Sequence, residues 1–421
     1  MTQPPVSVVV VSKGRPRSLR RTLTAVSQQA YPEFEIIVVT DDDGVDAVGF
    51  LEFGHQIKLV SFDEDNISTA RNQGIAAAAG EIVAFIDDDA VPETGWLWHL
   101  TAPFSEAEVA AAGGYVRGRN GITFQWRARS VNSAAEYDDI AISGDKPVVM
   151  TPAKGRAIKT EGTNMAFRRD VIAEMGGFDP AFEFYLDETD VNMRLADQGA
   201  ATAIVPLAEV HHGFFESARR TARRAPRDLA QNGASMAVFL RKHCREADRA
   251  DVWSAYQRGQ RKRLVDYMIK GELMPGDVAR LMRGLRKGYA EGLERKITVL
   301  ERIPRASDGF RAFERQVAGA EIIAGRQWRR AAIRREALAS SRAGRIPSVF
   351  VFSRTGLFHR VTFHSEGYWE QVGGLFGRSD RAQRLFRITG FRKRLRQEQQ
   401  RVARQRLLLD ESETSAREGK A

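Results

Sequence analysis

The first part of the chain switches between continuous apolar runs and apolar residues at helical spacing. The segment 6–11 is dominated by valine, which is typical of a strand buried on both faces of a parallel sheet. The polar loop 13–16 follows, and after it Leu19, Leu23 and Val26 recur at the spacing of one helix face. The pattern predicts a strand, a loop and a helix in that order.

Three more apolar runs repeat this arrangement, at 35–39, 57–62 and 82–86. Two of them are followed by clusters of aspartate, at 41–43 and 87–89. Strands that alternate with helical stretches predict an α/β fold with a doubly wound, mostly parallel sheet. Ligands of such sheets bind outside the carboxyl ends of the strands, so the aspartates lie where a site is expected.

Beyond residue 216 the apolar pattern becomes mainly helical. Residues 348–363 are β-branched and aromatic around a glycine, which predicts a hairpin, and an arginine-rich helix is predicted over 379–409. The predicted divisions are 1–216 as an α/β domain, 217–345 as a basic helical region, 346–409 as a hairpin plus a basic helix, and 410–421 as a disordered tail.

Charge is divided unequally between the two halves of the chain. The 421 residues carry a net charge of +10. Residues 1–216 carry −14, with 18 Lys+Arg against 32 Asp+Glu, whereas residues 217–421 carry +24. An acidic half therefore precedes a basic half, and the two need different explanations.

Several features favour a cytoplasmic protein. The single cysteine, Cys244, cannot form an internal disulfide and fits a reducing compartment. The first residues carry no positive charge ahead of their short apolar run, unlike a signal peptide, and about 18 successive apolar residues occur nowhere in the sequence. We therefore expect any membrane contact to be peripheral, at the inner face of the membrane.

The two triple-aspartate clusters place several like charges at one edge of the predicted sheet. Such crowding is unfavourable unless a cation or hydrogen-bond donors offset it. A divalent ion with oxygen ligands is the simplest remedy. For either cluster alone, aspartates that favour a turn at the end of a strand are the alternative explanation.

Five motifs, in this order and spacing, resemble the inverting family 2 glycosyltransferases of the GT-A fold. They are VSVVVVSKGRP, EIIVVTDDDG, NISTARNQGIAAAAGEIVAFIDDDAVPETGWL, TNMAFRRDVIAEMGGFD and YLDETDVNMRLADQG, and together they span half the chain. The resemblance implies a nucleotide-sugar donor, a glycan or lipid-linked acceptor, and a divalent metal cofactor, Mn²⁺ or Mg²⁺.

Asp87-Asp88-Asp89 stands where that family carries its Asp-x-Asp motif. The resemblance implies that Asp87 faces the ribose and Asp89 the metal, with Asp88 able to take either role. It also implies a histidine contact with the metal or diphosphate in the pair at 211–212. We expect His211 to join Asp87 and Asp89 as a metal ligand, and a structural histidine is the alternative.

The family resemblance also implies contacts to the nucleotide. One of Asp41, Asp42 and Asp43, after the second strand, would bind the nucleobase. The extra aspartate relative to the usual form leaves all three open, and Asp42 is our choice. Ser12 and Arg15 of the first loop are expected near the base and the phosphates. A plain connecting loop is the alternative.

Arg71 lies in the family motif at the start of an alanine-rich helix. A cation at this place can pair with a phosphate or with the ribose edge of the donor. The alternative is that Arg71 pairs with Asp63 or Asp65.

Catalysis of this transfer needs a base that takes the proton of the attacking hydroxyl. The segment 187–190 matches the acidic pair of the family with the order of the two acids reversed, which implies Glu188 as the base and Asp187 as the next candidate. Carboxylates this close raise at least one pKa, which suits a base working near neutrality. The alternative is a helix N-terminus whose acids complement the macrodipole.

Dense arginine runs at 219–227 and 392–406 mark the basic half. Solvated helix faces are the first explanation. The second is peripheral contact with an anionic membrane surface or a lipid-diphosphate acceptor, with Phe386, Phe391 and Leu395 as the apolar face. Nucleic acid is not an expected partner, because no recognition motif accompanies the charge.

The residues alone are also compatible with two other functions. A nucleotidyltransferase has a similar sheet and acidic metal ligands, but its glycine-rich phosphate loop is not convincing in residues 12–15. A non-catalytic membrane- or polyanion-binding protein on a decayed transferase domain is the other, and the intact acids argue against it.

Overall fold

The computed structural model of the chain describes residues 3–213, 219–221, 223–315 and 317–406. The predicted tail at 410–421 and the last residues of the predicted helix at 379–409 lie outside this part. A large mixed sheet with helices on both faces is followed by a group of helices and by a smaller α/β unit.

The strands have these bounds: β1 Val6–Ser12, β2 Phe34–Thr40, β3 Lys58–Ser61, β4 Ile82–Asp87, β5 Ala90–Pro92, β6 Val109–Arg117, β7 Phe124–Trp126, β8 Arg129–Asn132, β9 Tyr137–Asp139, β10 Val148–Met150, β11 Arg156–Lys159, β12 Met165–Arg168, β13 Ala201–His212, β14 Gly319–Arg326, β15 Arg345–Ser353, β16 Arg360–His364 and β17 Tyr368–Gly374.

The α-helices have these bounds: α1 Pro16–Val26, α2 Asp42–Gly49, α3 Ile67–Ala77, α4 Trp96–Thr101, α5 Arg169–Glu174, α6 Asp187–Asp197, α7 Ala230–His243, α8 Glu246–Ile269, α9 Pro275–Glu294, α10 Arg330–Arg342 and α11 Phe391–Arg406. Within the described ranges, none of these helices has both the length and the apolar character that crossing a membrane requires.

The large sheet runs in the order β10-β13-β6-β12-β4-β1-β2-β3. Strand β1 pairs in parallel with both β2 and β4, with Ser12 opposite Thr40 and Val11 opposite Asp87. The carboxyl ends of these three strands therefore meet at one edge. The predicted α/β fold is confirmed, although the sheet is mixed because β12 runs antiparallel between β4 and β6.

The valines of β1 are buried on both faces of this sheet, as the apolar run predicts. Val8 and Val10 belong to the apolar cluster that contains the buried face of α1. Val9 belongs to the cluster on the other face, with Ala70 and Ile75 of α3. Successive side chains of a strand point to opposite faces, so an uninterrupted apolar strand needs helices on both.

The helices α7 and α9 pack at very short range because glycine lines their contact. A Cβ added at Gly288 would lie 1.9 Å from the carbonyl oxygen of Ala230, and one at Gly292 would lie 2.3 Å from that of Ala234. Side chains of α7 also share an apolar cluster with the α/β domain. The helical region is therefore built onto that domain.

The predicted helical region at 217–345 is not helical throughout. After α9, residues 296–315 lie outside any helix or strand and follow the α/β domain, where the backbone amide of Ile303 donates to the carbonyl of Ala173 at 3.0 Å. Phe313 is buried, and its ring stacks on Phe34 of β2 at 5.3 Å. This segment thus completes the core beneath the large sheet.

The smaller α/β unit has the strand order β14-β15-β17-β16. The predicted hairpin at 348–363 is wrong, because β15 pairs in parallel with β14 and β17, while β16 pairs with β17. Strand β17 was missed because Glu370 and Gln371 interrupt its apolar pattern. Both are buried, and Glu370 meets Arg330 and Arg334 at 2.8 and 2.7 Å.

The arginine-rich helix α11 is only partly solvated. Arg394 and Arg406 are buried, and Arg406 meets Glu93 of the α/β domain at 2.8 Å. Phe391 and Leu395 pack against an apolar cluster of the smaller unit. These two side chains are therefore not available as the apolar face of a membrane contact, which corrects that expectation.

Candidate active site

Asp87 and Asp89 lie with His212 at the carboxyl edge of the large sheet. Strand β5 pairs antiparallel with β13, with Ala90 opposite His212, and this register brings the histidine beside the end of β4. Ligand atoms of the three side chains all lie within 4.8 Å of one another, with His212 Nε2 3.0 Å from Asp89 Oδ1. Such a group can hold a metal ion.

The structure gives His211 a different environment from the one expected. Its Nε2 lies 2.8 Å from Glu93 Oε1, and its ring packs on Trp369 with the centroids 4.8 Å apart. Burial lowers the pKa of His211, although Glu93 opposes this. Because neighbouring strand residues point to opposite faces, His212 takes the place beside Asp87 and Asp89 that was predicted for His211.

Asp88 is fully buried and faces the first loop. The hydroxyl of Ser12 donates to Asp88 Oδ2 at 2.6 Å, and Arg15 Nη2 lies 2.6 Å from Asp88 Oδ1. Burial raises the pKa of Asp88 to about 7, against the pull of Arg15. The structure thus joins three residues predicted to bind the donor, and Asp88 holds the first loop.

The second aspartate cluster is attached to the same loop through Asp41. Its carboxylate accepts hydrogen bonds from the amides of Gly14 at 2.7 Å and Gly44 at 3.0 Å, which caps α2. Gly14 has a φ of 65°, a conformation that glycine adopts without strain. Asp42, our choice for the nucleobase contact, is exposed in the first turn of α2.

Arg71 connects the strand-end acids to helix α6. This side chain is buried, its Nη1 pairs with Asp187 Oδ2, and its Nη2 lies 3.5 Å from Asp87 Oδ1. Burial opposes its charge, but Asp187 and Asp87 raise the pKa of Arg71. The alternative partners Asp63 and Asp65 instead lie 3.1 Å from the ammonium of Lys13.

Helix α6 begins with acids on a strained turn. Tyr185 and Leu186 have φ values of 77° and 66°, in the left-handed region that such side chains rarely adopt. The turn directs Asp187 to Arg71 at the buried end of the helix. Burial raises the pKa of Asp187, and the adjacent Glu188 adds to this effect. Strain of this kind costs of order 1–3 kcal/mol per residue and clusters at functional sites.

Glu188 meets a buried cation that the sequence analysis missed. Lys159 Nζ lies 2.6 Å from Glu188 Oε1 and 3.3 Å from Glu161 Oε1. Although burial disfavours the charged carboxylate, Lys159 lowers the pKa of Glu188. A lysine at the end of the short segment 156–159, two residues before an acid, was the available signal. Such a lysine needs buried partners.

Asp190 does not contact Glu188 or Lys159, because its carboxylate is paired with other cations. Its carboxylate lies 2.8 Å from Arg194, 2.7 Å from Lys242 and 2.8 Å from His243. Although burial opposes ionisation, Arg194 and His243 hold the pKa of Asp190 below its usual range. Asp190 therefore ties α6 to α7 and lies outside the candidate catalytic group.

The first part of the chain matches a known protein family. The family model described as glycosyltransferase like family 2 matches residues 4–232, more than half of the chain. The chain belongs to this glycosyltransferase family. This membership decides against the nucleotidyltransferase interpretation, and it agrees with the family resemblance of the five motifs.

Two curated relatives come from Haloferax volcanii. The chain is 30 % identical over 226 residues to a glucosyl-dolichyl phosphate glucuronosyltransferase, a match that covers 50 % of this chain and 70 % of the relative. It is also 30 % identical over 185 residues to the glycosyltransferase AglE, covering 42 % of this chain and 57 % of that protein. Each match covers half of this chain or less.

Two solved structures are more remote. The mannosyltransferase PcManGT from Pyrobaculum calidifontis, in complex with GDP-Man and Mn²⁺, is 16 % identical with a TM-score of 0.45, covering 70 % of this chain and 89 % of that one. GalNAc-T7 with UDP, GalNAc and Mn²⁺ is 15 % identical with a TM-score of 0.46, covering 57 % of this chain and 48 % of that one.

Proposed function

We propose that this glycosyltransferase moves a hexose from a nucleotide-sugar donor to an acceptor hydroxyl with inversion at the anomeric carbon. The observation that carries the proposal is the continuity of the site. Asp87 and Asp89 converge with His212, and the Arg71 guanidinium reaches from Asp87 to the acids of α6. Groups suited to the donor diphosphate and to proton removal therefore line one site.

The three converging side chains fit a divalent metal cofactor. Two carboxylates and one imidazole within 4.8 Å can supply oxygen and nitrogen ligands to Mn²⁺, and Mg²⁺ suits the carboxylates. The side chain of Asp87 is 30 % exposed, so the group opens to the ligand side. When bound, the ion supplies charge stabilisation to the departing nucleoside diphosphate.

We place the nucleotide over the first loop and beside α2. Exposed Asp42 is our candidate for the nucleobase contact. Arg15 has a side chain 33 % exposed between Asp88 and Asp89, which suits a contact with a phosphate. Ser12 and Asp88 act through Arg15 and hold the loop in position.

Glu188 is our candidate for the base. Its side chain is 17 % exposed, whereas those of Asp187 and Asp190 are 4 % and 0 % exposed, so Glu188 has the best access to an acceptor hydroxyl. The ammonium of Lys159 keeps Glu188 ionised and ready to accept the proton. Asp187 orients Arg71. Attack opposite the departing diphosphate inverts the anomeric centre.

The acceptor we propose is a glycan or a lipid-linked sugar in cell-surface polysaccharide or glycolipid synthesis, at the cytoplasmic face of a membrane. Support comes from a relative whose name specifies a dolichyl phosphate-linked glucose. The strongly basic second half, with its +24 net charge, suits an anionic surface or a phosphate-bearing acceptor.

Turnover of a panel of UDP-, GDP- and dTDP-sugars with Mn²⁺ tests the proposal. We expect release of a nucleoside diphosphate and an inverted product, and a loss of about 10²–10⁴-fold in rate for Glu188→Gln. The matched control Glu174→Gln, at an exposed acid of α5, should keep full activity. Pyrophosphate release, or full activity of Glu188→Gln, would overturn the proposed function or its base.

A further inference from the structure

A patch of apolar side chains is exposed at the end of the smaller α/β unit. Leu357 and Phe358, on the loop between β15 and β16, are 65 % and 42 % exposed. Leu385, Phe386 and Ile388, on the segment before α11, are 63 %, 57 % and 83 % exposed. We name these five residues the apolar patch. Exposed apolar groups that cluster in this way mark interaction sites.

The two segments of the apolar patch lie against each other. The ring of Phe386 packs on Phe376 with the centroids 5.4 Å apart, and an added Cβ at Gly356 would lie 3.4 Å from Phe386 Cδ2. The amide of Arg387 donates to the carbonyl of Phe376 at 3.0 Å. Phe386 therefore lies beside the loop that carries Leu357 and Phe358.

Arginines surround and interrupt this surface. The guanidinium carbons of Arg378 and Arg381 lie 4.5 and 5.8 Å from the ring centroid of Phe358. Arg384 and Arg387 are exposed between the apolar residues of the second segment. Long cationic side chains beside apolar groups suit an interface in which the apolar groups enter a bilayer and the cations stay at the headgroups.

The sequence that carries the second segment of the apolar patch is strongly basic. Residues 376–397 contain eight Lys or Arg and one acid, Asp380. A second copy of this chain would bring two such surfaces together and place like charges opposite each other, which disfavours self-association. A bilayer with anionic headgroups complements both the apolar centre and the cationic rim.

The patch is joined to the same edge as the metal group. Arg381 Nε donates to the Thr123 hydroxyl at 2.9 Å, on the loop between β6 and β7. From the same loop, Arg119 Nε donates to the carbonyl of Gly213 at 2.9 Å, and the amide of Gly213 donates to the carbonyl of Asp89 at 2.8 Å. Hydrogen bonds therefore connect the segment that carries the patch to the strand end that carries Asp89.

We propose that the apolar patch and its arginine rim dock this protein onto an anionic membrane surface. The purpose of the docking, which is to reach a lipid-linked acceptor, rests on the proposed function. The docking itself does not depend on that function. The apolar side chains supply insertion and the arginines supply attraction, so both the lipid charge and the side chains of the patch are required.

Vesicle co-sedimentation of the full chain tests this inference. We expect binding to vesicles of phosphatidylcholine with phosphatidylglycerol, weak binding to phosphatidylcholine alone, and release by added salt. Phe386→Ser with Ile388→Ser should weaken binding at least about tenfold, since two large apolar side chains no longer enter the bilayer. The matched control Ile269→Ser, at a residue 76 % exposed on α8, should bind like the unchanged protein.

Metal-dependent nucleoside diphosphate release, measured in solution on the same variants, separates the two proposals. We expect this nucleoside diphosphate release to be unchanged in Phe386→Ser with Ile388→Ser. A variant that loses vesicle binding but keeps donor turnover would support docking independently of the proposed function. No vesicle binding by the unchanged protein, equal losses in Ile269→Ser, or a dimer dispersed by Ile388→Ser would each overturn the inference.

Discussion

The carboxylates of the active site face buried cations. Arg71 lies between Asp87 and Asp187, and Lys159 meets Glu188 at 2.6 Å. A buried charge without a partner is strongly unfavourable, and the ammonium of Lys159 lowers the pKa of Glu188 and so favours its ionised form.

At the scale of single residues, Lys159 lowers the pKa of the proposed base, Glu188. In Lys159→Met the nearest cation is removed and burial dominates, so the pKa of Glu188 rises. Because Glu188 acts in its ionised form, the acidic limb of the pH profile of kcat/KM should move to higher pH by about one unit or more. Steady-state kinetics across the pH range measures this.

The variant Lys159→Arg serves as the control, since it keeps the positive charge. It should leave the acidic limb close to its original position even where its bulk lowers the rate. An acidic limb that stays in place in Lys159→Met would show that Glu188 is not the group that titrates.

The position of the strand-end aspartates was predictable from the sequence because parallel strands end at one edge, whereas Arg71, on α3, was named from the family motif. The choice between His211 and His212 was not predictable. Strand β13 carries a register shift between Val205 and Glu209, and a shift of this kind reverses which residues face the site. Lys159 was missed because its acidic partner Glu188 is distant in sequence.

At the scale of elements, α11 is anchored by a buried ion pair. Arg406 and Glu93 have side chains 1 % and 4 % exposed and lie 2.8 Å apart. In Arg406→Gln the buried carboxylate of Glu93 loses its ion-pair partner, so we expect a loss of about 3–5 kcal/mol in the free energy of unfolding. Urea denaturation measures it.

Arg404, two residues earlier on α11, provides the matched control. It pairs with Asp145, but its side chain is 61 % exposed, so Arg404→Gln should cost at most about 1 kcal/mol. Equal losses in the two variants would contradict the assignment of Arg406 as the anchor.

The contact of α7 with α9 gives a second test at this scale. Gly288→Ala places a Cβ 1.9 Å from the carbonyl oxygen of Ala230, so the helices must separate and stability should fall by about 1–3 kcal/mol. Gly259 is exposed within α8 with nothing within 4 Å of an added Cβ. Gly259→Ala should therefore raise stability by up to about 1 kcal/mol. Thermal denaturation that shows the same sign for both would contradict this packing.

The elements differ in how far the sequence predicts them. Strands β1, β2 and β4 are apolar runs because helices cover both faces of the sheet. Strand β17 is buried although it carries polar residues, because these residues have partners on α10 and α11. For example, the side-chain amide of Gln371 donates to the carboxylate of Glu398 at 2.8 Å. Its pairing depends on contacts distant in sequence, which a local pattern does not contain.

At the scale of the whole molecule, the acidic and basic halves share a core in spite of their opposite charges. Phe313 enters the core beneath the large sheet, and Val361 and Trp369 share an apolar cluster with Val91 and Ile122 of the first half. The predicted boundary near residue 216 is therefore not a boundary in packing.

A fragment of residues 1–232, which spans the family match, should accordingly fail to fold cooperatively. It lacks Phe313 and exposes Val91 and Ile122, and Glu93 loses Arg406. We expect this fragment to aggregate and to show no sharp thermal transition, whereas the full chain should stay soluble under the same conditions. A soluble fragment that unfolds cooperatively would contradict this account of the molecule.

The central claim is that Asp87, Asp89 and His212 hold a divalent cation that binds the donor diphosphate. Calorimetric titration with UDP and GDP, with and without Mn²⁺, tests it on the unchanged protein, His212→Gln and His211→Gln. We predict that one nucleotide binds only with Mn²⁺, that His212→Gln weakens this binding by at least about tenfold, and that His211→Gln retains it. Nucleotide binding that does not depend on Mn²⁺ would contradict the claim. So would weaker nucleotide binding in His211→Gln together with unchanged binding in His212→Gln.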